Sequence, residues 1–392
     1  MSTVPNAQTT NNKQQTTNNN SRQVMIIGGG VAGAATAITL ARRGIASLIL
    51  ETSTQITTKV GETLPPNVLP LLKIFGLEQC LQPPEHLPCY GNQYIWGEDG
   101  IQEKLFIFQT YGNGWHLNRL TFEQQLYQLS QEQGVEWLLG CKLLKVKQDI
   151  DHHWQLTVNC QGKQQTWQLP QGGSAKQTHF LVDATGRIAK LAQCLGVQRE
   201  QCDRLIGLVC PFKLQPHHTI AHYTYIEAVE NGWWYAAVIP GNRLMTVFLT
   251  DADLLDKGMF KMDGYRQALS KTQLISSSLK DELIADSHQK ITTRTASSSY
   301  LQQIFGENWL AVGDAAFAYD PISSYGIASA LGGGFYAGNA IADHLMGKPE
   351  ALPAYSFILE QNYQLYREML SNQYQLEQRW SNHTFWQRRH GT

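Results

Sequence analysis

Gly28, Gly30 and Gly33 stand at G-x-G-x-x-G spacing, and an acid, Glu51, follows 18 residues after the last of them. Residues of these types at these distances bind a dinucleotide. The first glycine permits a tight turn, the second lets backbone approach a pyrophosphate, and the third lets a helix pack closely on a sheet. Val31 and Ala32 fall between the second and third glycines. They open the helix whose unpaired N–H groups favour an anion. A carboxylate at Glu51 accepts hydrogen bonds from ribose hydroxyls and repels a 2′-phosphate. The site therefore favours FAD or NAD over NADP.

The elements that must position these residues are legible on either side. Val24 to Ile27 is a short apolar run, Ala34 to Arg43 is alanine-rich and helix-forming, and Ala46 to Leu50 is a second apolar run ending at Glu51. Strand, glycine turn, helix, strand and acid are the context that gives the spacing its meaning. A buried, glycine-broken core helix is the plainer alternative, and it explains neither strand nor acid.

The chain has 392 residues, 42% of them hydrophobic, and a formal net charge of −1. That is room for about two domains and no basic surface for nucleic acid. Seven cysteines, without a C-x-x-C pair, fit a reduced, cytoplasmic compartment. No metal site is expected, because His152-His153 and His217-His218 are adjacent pairs without ligand spacing. Val24 to Ala41 is apolar enough to imitate a membrane segment, but its glycines argue against one, and no membrane association is expected.

Residues 1–23 are rich in Gln, Asn, Thr and Ser and read as a disordered tail. Residues 24–205 and 290–345 read as one nucleotide-binding domain, with insertions near 60–110 that belong to a second domain. Val135 to Leu144, Trp154 to Val158, Trp167 to Leu169 and Phe180 to Val182 read as successive strands of one meander. Residues 206–289 hold long β-rich runs and read as the antiparallel sheet of the second domain, followed by helix. Residues 346–392 read as a C-terminal helical segment, with one long helix from Tyr355 to Trp380. The aromatic and arginine mixture from Arg379 to Arg389 suits either a protein interface or docking on its own domain. The fold class is α/β (α+β): a Rossmann-like domain interleaved with an antiparallel-sheet domain, plus C-terminal helices.

Three motifs then lie in order: GGGVAG from Gly28, DATGR from Asp183 to Arg187, and GDAAFAYDPISSYG from Gly313 to Gly326. The set resembles the flavoprotein monooxygenases of the para-hydroxybenzoate hydroxylase type over nearly the whole chain. The resemblance implies FAD as cofactor and O2 as co-substrate. Gly28, Gly30, Gly33 and Glu51 would hold the ADP half. Arg119 matches the arginine near the pyrophosphate, and Asp183 the acid that ties the pyrophosphate loop. In the third motif, which opens at Gly313, Asp314 would bond the ribityl chain and Pro321 would lie by the isoalloxazine. The helix opening at Gly326 and Ile327 would direct its dipole at the flavin N1/O2 edge. Taken alone, Asp183 reads as a strand-end turn former and Arg119 as half of a salt bridge.

GETLPP from Gly61, the stretch Glu230 to Leu254, and EQRWSNHTFWQRR from Glu377 look like the tryptophan-halogenase-like branch. Within it they are most similar to the flavoproteins that mature cysteine tryptophylquinone in glycine and lysine oxidases. This implies hydroxylation of a tryptophan in a partner, the precursor of a quinocofactor amino-acid oxidase of the glycine oxidase type. Halogenases carry a lysine shortly after the G-E-x-x-x-P segment, and Cys89 to Trp96 has none. Their W-x-W-x-I-P appears here with Tyr235 and Ala237 at the tryptophan positions. Glu62 and His116 are the catalytic candidates by motif neighbourhood, each also readable as a capping or hydrogen-bonding residue. No second G-x-G-x-x-G appears, so electrons come from NAD(P)H directly or from a separate reductase. A free small aromatic substrate, halogenation, and a flavin-bearing chaperone for a precursor are the alternatives.

Overall fold

The computed structural model describes residues 24–149, 153–169, 179–279, 282–284 and 289–391. The polar tail, residues 1–23, lies outside the described residues. Val24–Ile27 is buried along its whole length, as a strand covered on both faces must be. It pairs in parallel with Ser47–Glu51 on one side and Phe180–Asp183 on the other. Glu136–Leu139 extends the sheet beyond Ser47–Glu51. Trp309–Ala311 and then Phe305–Gly306 extend it at the opposite edge.

Two strand assignments change. Val135 to Leu144 is not continuous: Gly140, at φ +73°, breaks it into Glu136–Leu139 in the parallel sheet and Cys141–Gln148 in a separate one. Phe180–Asp183 does not continue the meander either. Every residue of it is buried, so it needs a position covered on both faces, whereas the meander strand Lys163–Leu169 is mostly exposed. The meander is therefore Cys141–Gln148, Trp154–Cys160 and Lys163–Leu169. Cys141 and Cys160 are directly opposite in it and are joined by a disulfide, with Cα atoms 4.1 Å apart. The expectation of reduced cysteines does not hold for this pair, of which the cysteine spacing gave no sign.

Helix Val31–Arg42 and helix Gly326–Leu345 pack against each other beside the parallel sheet. Their contact explains the small residues of the second: a Cβ on Gly334 would lie 2.6 Å from Ala35 Cβ.

Leu205–Leu214, Arg243–Asp251, Gly232–Ile239 and Tyr223–Val229 form an antiparallel sheet in that spatial order. Gly91–Ile95 joins it in parallel with Tyr223–Val229, and Gln102–Leu105 forms the next strand. Trp234 points to one face, against Phe248 and Tyr265 of helix Met262–Ser270. Trp233 points to the other, against Trp96. Both are fully buried core residues.

The last long helix runs from Ala351 to Gln375 rather than to Trp380. Beyond it the buried Glu377 carboxylate accepts from Gly97 N at 2.8 Å and from Arg379, turning the chain back. Helix Thr384–His390 then docks on the chain's own sheet, with Phe385 and Trp386 fully buried and Arg389 paired to Asp251 at 2.8 Å. No helix among the described residues is long and apolar enough to cross a membrane. No cluster of three or more His, Cys, Asp or Glu among them could hold a metal ion.

Candidate functional site

The fingerprint turn is built by exclusion. Gly28 adopts φ +105°, and a Cβ there would sit 2.3 Å from Ala184 O. A Cβ on Gly33 would sit 2.1 Å from Gly28 O. Strand and helix therefore meet only if both residues are glycine. Gly30 is different, because it faces space: the nearest atom to its absent Cβ is Lys59 Nζ, at 3.3 Å.

That space is a cavity of about 910 Å³. Of the residues singled out in the sequence, Gly28, Gly30, Val31, Ala32, Glu51, Glu62, Arg119, Asp314, Pro321, Gly326 and Ile327 line it. Gly33, Asp183, Gly313 and His116 do not. Gly33 is enclosed by the turn it permits. Asp183 is completely buried and accepts from Thr185 N at 3.0 Å and Ala192 N at 2.9 Å, which ties the strand end to the following turn and helix. Gly313 borders a second cavity.

Glu51 is held in place by backbone, accepting from Gly29 N and Ser53 N at 2.8 Å each. Arg119 donates to the carbonyls of Val60 and Gly61 and to Glu123 Oε1 at 2.5 Å, while its buried Nε has no partner among the described residues. Glu123 also receives Lys59 Nζ at 2.9 Å. Two cations thus share one carboxylate beside the fingerprint turn, leaving positive charge in the cavity wall. Arg187, the last residue of DATGR, reaches Asp314 Oδ2 at 3.3 Å and Tyr319 O at 2.8 Å. Burial raises the Asp314 carboxyl, while Arg187 and Arg199 hold it down.

The far wall comes from the antiparallel sheet: Gly207, Val209, Tyr235, Val247 and Leu249. Tyr235 shares a hydrogen bond of 2.8 Å with Thr63 Oγ1. Thr63 approaches Thr224 Oγ1 at 3.4 Å, and Thr224 meets His116 Nε2 at 3.1 Å. His116 is therefore sealed behind two threonines. Burial lowers its pKa to about 3, so it is a neutral hydrogen-bonding group at ordinary pH. Glu62 stands in the cavity wall with Oε2 unpartnered among the described residues. Burial raises its pKa to about 7, against the opposing pull of Arg119. The two catalytic candidates thus separate: only Glu62 lines the cavity.

Lys59, Thr63, Arg187 and Tyr235 were not singled out for this wall. Two carried a signal. Arg187 closes a recognised motif, and Tyr235 replaces a motif tryptophan. Lys59 and Thr63 lie in the chain around GETLPP but show no pattern of their own.

The cavity fits FAD. It has a glycine turn open at Gly30, a carboxylate anchored by backbone at Glu51, cations near the turn, and the N-terminal end of helix Gly326–Leu345. That helix has no side-chain cap, so its first N–H groups remain available to a partial negative charge.

A family model described as an FAD binding domain matches residues 21–358. LodB of Marinomonas mediterranea, named as an FAD-dependent oxidoreductase, is 30% identical over 367 residues, 92% of this chain and 94% of that protein. The myxobacterial chondrochloren halogenase CndH has the same fold, with TM-score 0.82 at 19% identity over 94% of this chain and 85% of that one. The peptidyl tryptophan dihydroxylase QhpG superposes with TM-score 0.72 at 24% identity over 94% of this chain and 78% of its own. With the glycine turn, the anchored acid and the interleaved sheets in place, the chain belongs to the FAD-binding domain family and is an FAD-dependent oxidoreductase.

Proposed function

We propose that this protein is an FAD-dependent monooxygenase that hydroxylates a tryptophan side chain of a partner protein. The partner is the precursor of a quinocofactor amino-acid oxidase of the glycine oxidase type, acted on in the cytoplasm. The observation that carries the reading is one continuous cavity, fingerprint turn at one end and the face of the antiparallel sheet at the other. The parallel-sheet unit serves the cofactor and the antiparallel unit the substrate. The full-length likeness to LodB and the fold shared with a peptidyl tryptophan dihydroxylase support it.

Bound FAD supplies the two-electron chemistry and the activation of O2, with electrons from NAD(P)H or a separate reductase. The chain's own residues do the rest. Gly28, Gly30 and Glu51 would hold the nucleotide end, and Lys59 and Arg119 would meet the diphosphate with positive charge. Asp314, Pro321, Gly326 and Ile327 would hold the ring end. Val209, Val247 and Leu249 exclude water from it. Glu62, poised near neutrality, accepts or returns a proton at its carboxyl. Tyr235, fixed by Thr63, offers a hydroxyl to a polar atom of the substrate.

Mass spectrometry of the oxidase precursor, expressed with and without this protein, tests the reading. Oxygen added to one tryptophan only in its presence is the expected result, and an unmodified precursor beside bound, reducible FAD overturns it. Halogenation is the second reading, favoured by the fold shared with CndH. Against it, Cys89 to Trp96 has no lysine, and Lys104, cross-strand from Asn92, lines the second cavity instead of the first.

A further inference from the structure

A second cavity, of about 800 Å³, shares Thr63, Tyr319 and Ser324 with the first. Its walls come from helix Ala351–Gln375, helix Gly326–Leu345 and the strands Gly91–Ile95 and Gln102–Leu105. Its lining includes apolar side chains that water should not find on a finished surface: Tyr325 is 41% exposed, Tyr336 45%, Leu365 58%, Met369 62% and Leu376 60%. Leu365 and Met369 are four residues apart on the helix and Leu376, its C-terminal cap, follows seven residues later, so the three continue one stripe. Contiguous apolar surface beside a cavity marks a site that another molecule covers.

We propose that this cavity is the docking site for the protein substrate, and that it passes the tryptophan side chain between Thr63 and Tyr319 into the flavin cavity. The inference rests on the reading of a protein substrate given above. Continuity with the first cavity selects this occupant. A segment seated on the stripe would have its side chains at the wall common to both spaces. Exposed Tyr325 stacks there on buried Tyr319, 6.1 Å between ring centroids, and offers an aromatic ring to an indole. Among the described residues Lys104 is the one charged member of the lining, so the segment flanking the tryptophan is apolar. The chain's own polar tail, residues 1–23, has the wrong chemistry to cover it, since Met1, Val4, Pro5 and Ala7 are its few apolar residues.

The test uses the FAD-loaded full chain with the double substitution Leu365→Asp and Met369→Asp, and Phe260→Asp as a control at an exposed apolar residue that lines neither cavity. The probes are the oxidase precursor and N-acetyltryptophanamide. Flavin content and thermal unfolding establish that each variant is folded, and the milder Met369→Gln replaces the double variant if it is not. The expected result is a Kd for the precursor raised roughly tenfold or more, with oxygenation lost in proportion, unchanged flavin reduction and an unaffected control. Precursor bound and oxygenated equally by wild type and the aspartate variant overturns the docking site alone. A wild-type dimer that becomes monomeric in the variant, with precursor oxygenation intact, overturns it in favour of a second copy of the chain. Wild type that ignores the precursor but oxygenates N-acetyltryptophanamide, equally in the variant, overturns the protein-substrate reading and the docking site with it.

Discussion

Tyr374, on the last long helix, donates its hydroxyl to Asp320 Oδ2 at 2.8 Å, and Asp320 stands in the wall of the flavin cavity. The same helix places Tyr366 OH 2.6 Å from Asp320 N and Tyr355 OH 2.8 Å from Ala311 O. The C-terminal helix therefore holds the segment around Pro321 by side-chain hydroxyls. Tyr374→Phe leaves a buried carboxylate oxygen without its donor. It should cost about 1–3 kcal/mol, read as a lower Tm, and weaken FAD binding without removing any residue of the fingerprint turn. Burial already raises the Asp320 pKa to about 6 from 3.8. A carboxyl raised in the folded state makes stability fall as pH rises through that window, and losing the Tyr374 donor should extend the fall to higher pH.

Glu62 gives a second pH dependence. Its pKa rises from 4.5 unfolded to about 7 folded, so the folded state holds the proton more tightly. Stability is greatest below about pH 4.5 for this group and falls as pH rises to about 7, by on the order of 3 kcal/mol. Glu62→Gln should unfold like wild type near pH 4 and be the more stable protein at pH 8. If Glu62 moves a proton, the same substitution lowers oxygenation roughly 10²-fold or more while the FAD absorbance is kept.

Gly28→Ala drives a methyl against Ala184 O, 2.3 Å away, from a backbone at φ +105°. Backbone cannot yield as a flexible side chain can. FAD content by absorbance should fall to about a tenth or less, with the antiparallel sheet still folded by far-UV circular dichroism. Full flavin content in this variant would remove the turn from the binding site.

Lys59 faces the open position at Gly30 and shares Glu123 with Arg119. Lys59→Met should raise the FAD Kd roughly 5–10-fold and flatten its dependence on salt, because a half-exposed cation acts through a screened field. Fluorescence titration at two ionic strengths checks both effects. An unchanged salt slope would place the diphosphate away from this side chain.

What the sequence by itself determined is what neighbouring residues settle among themselves. Gly28, Gly30, Gly33 and Glu51 belong to one strand, turn, helix and strand, and a single local geometry satisfies them. Pro321, Gly326 and Ile327 likewise share one turn and one helix start. The W-x-W-x-I-P comparison picked out Tyr235, but not which face of its strand would meet the cavity. That required the strand order, which puts Gly207, Val247 and Tyr235 on a common wall. Phe180 to Val182 read as another meander strand because alternation and burial are indistinguishable over so few residues. Its place beside Val24–Ile27 is decided by which partner can cover both its faces. Strand register brought Cys141 to Cys160 across one hairpin. Tertiary structure alone brought Lys59 to Gly30 and Tyr374 to Asp320. Each of these two pairs meets across intervening elements, and periodicity records the direction a side chain points, never the chain segment waiting there.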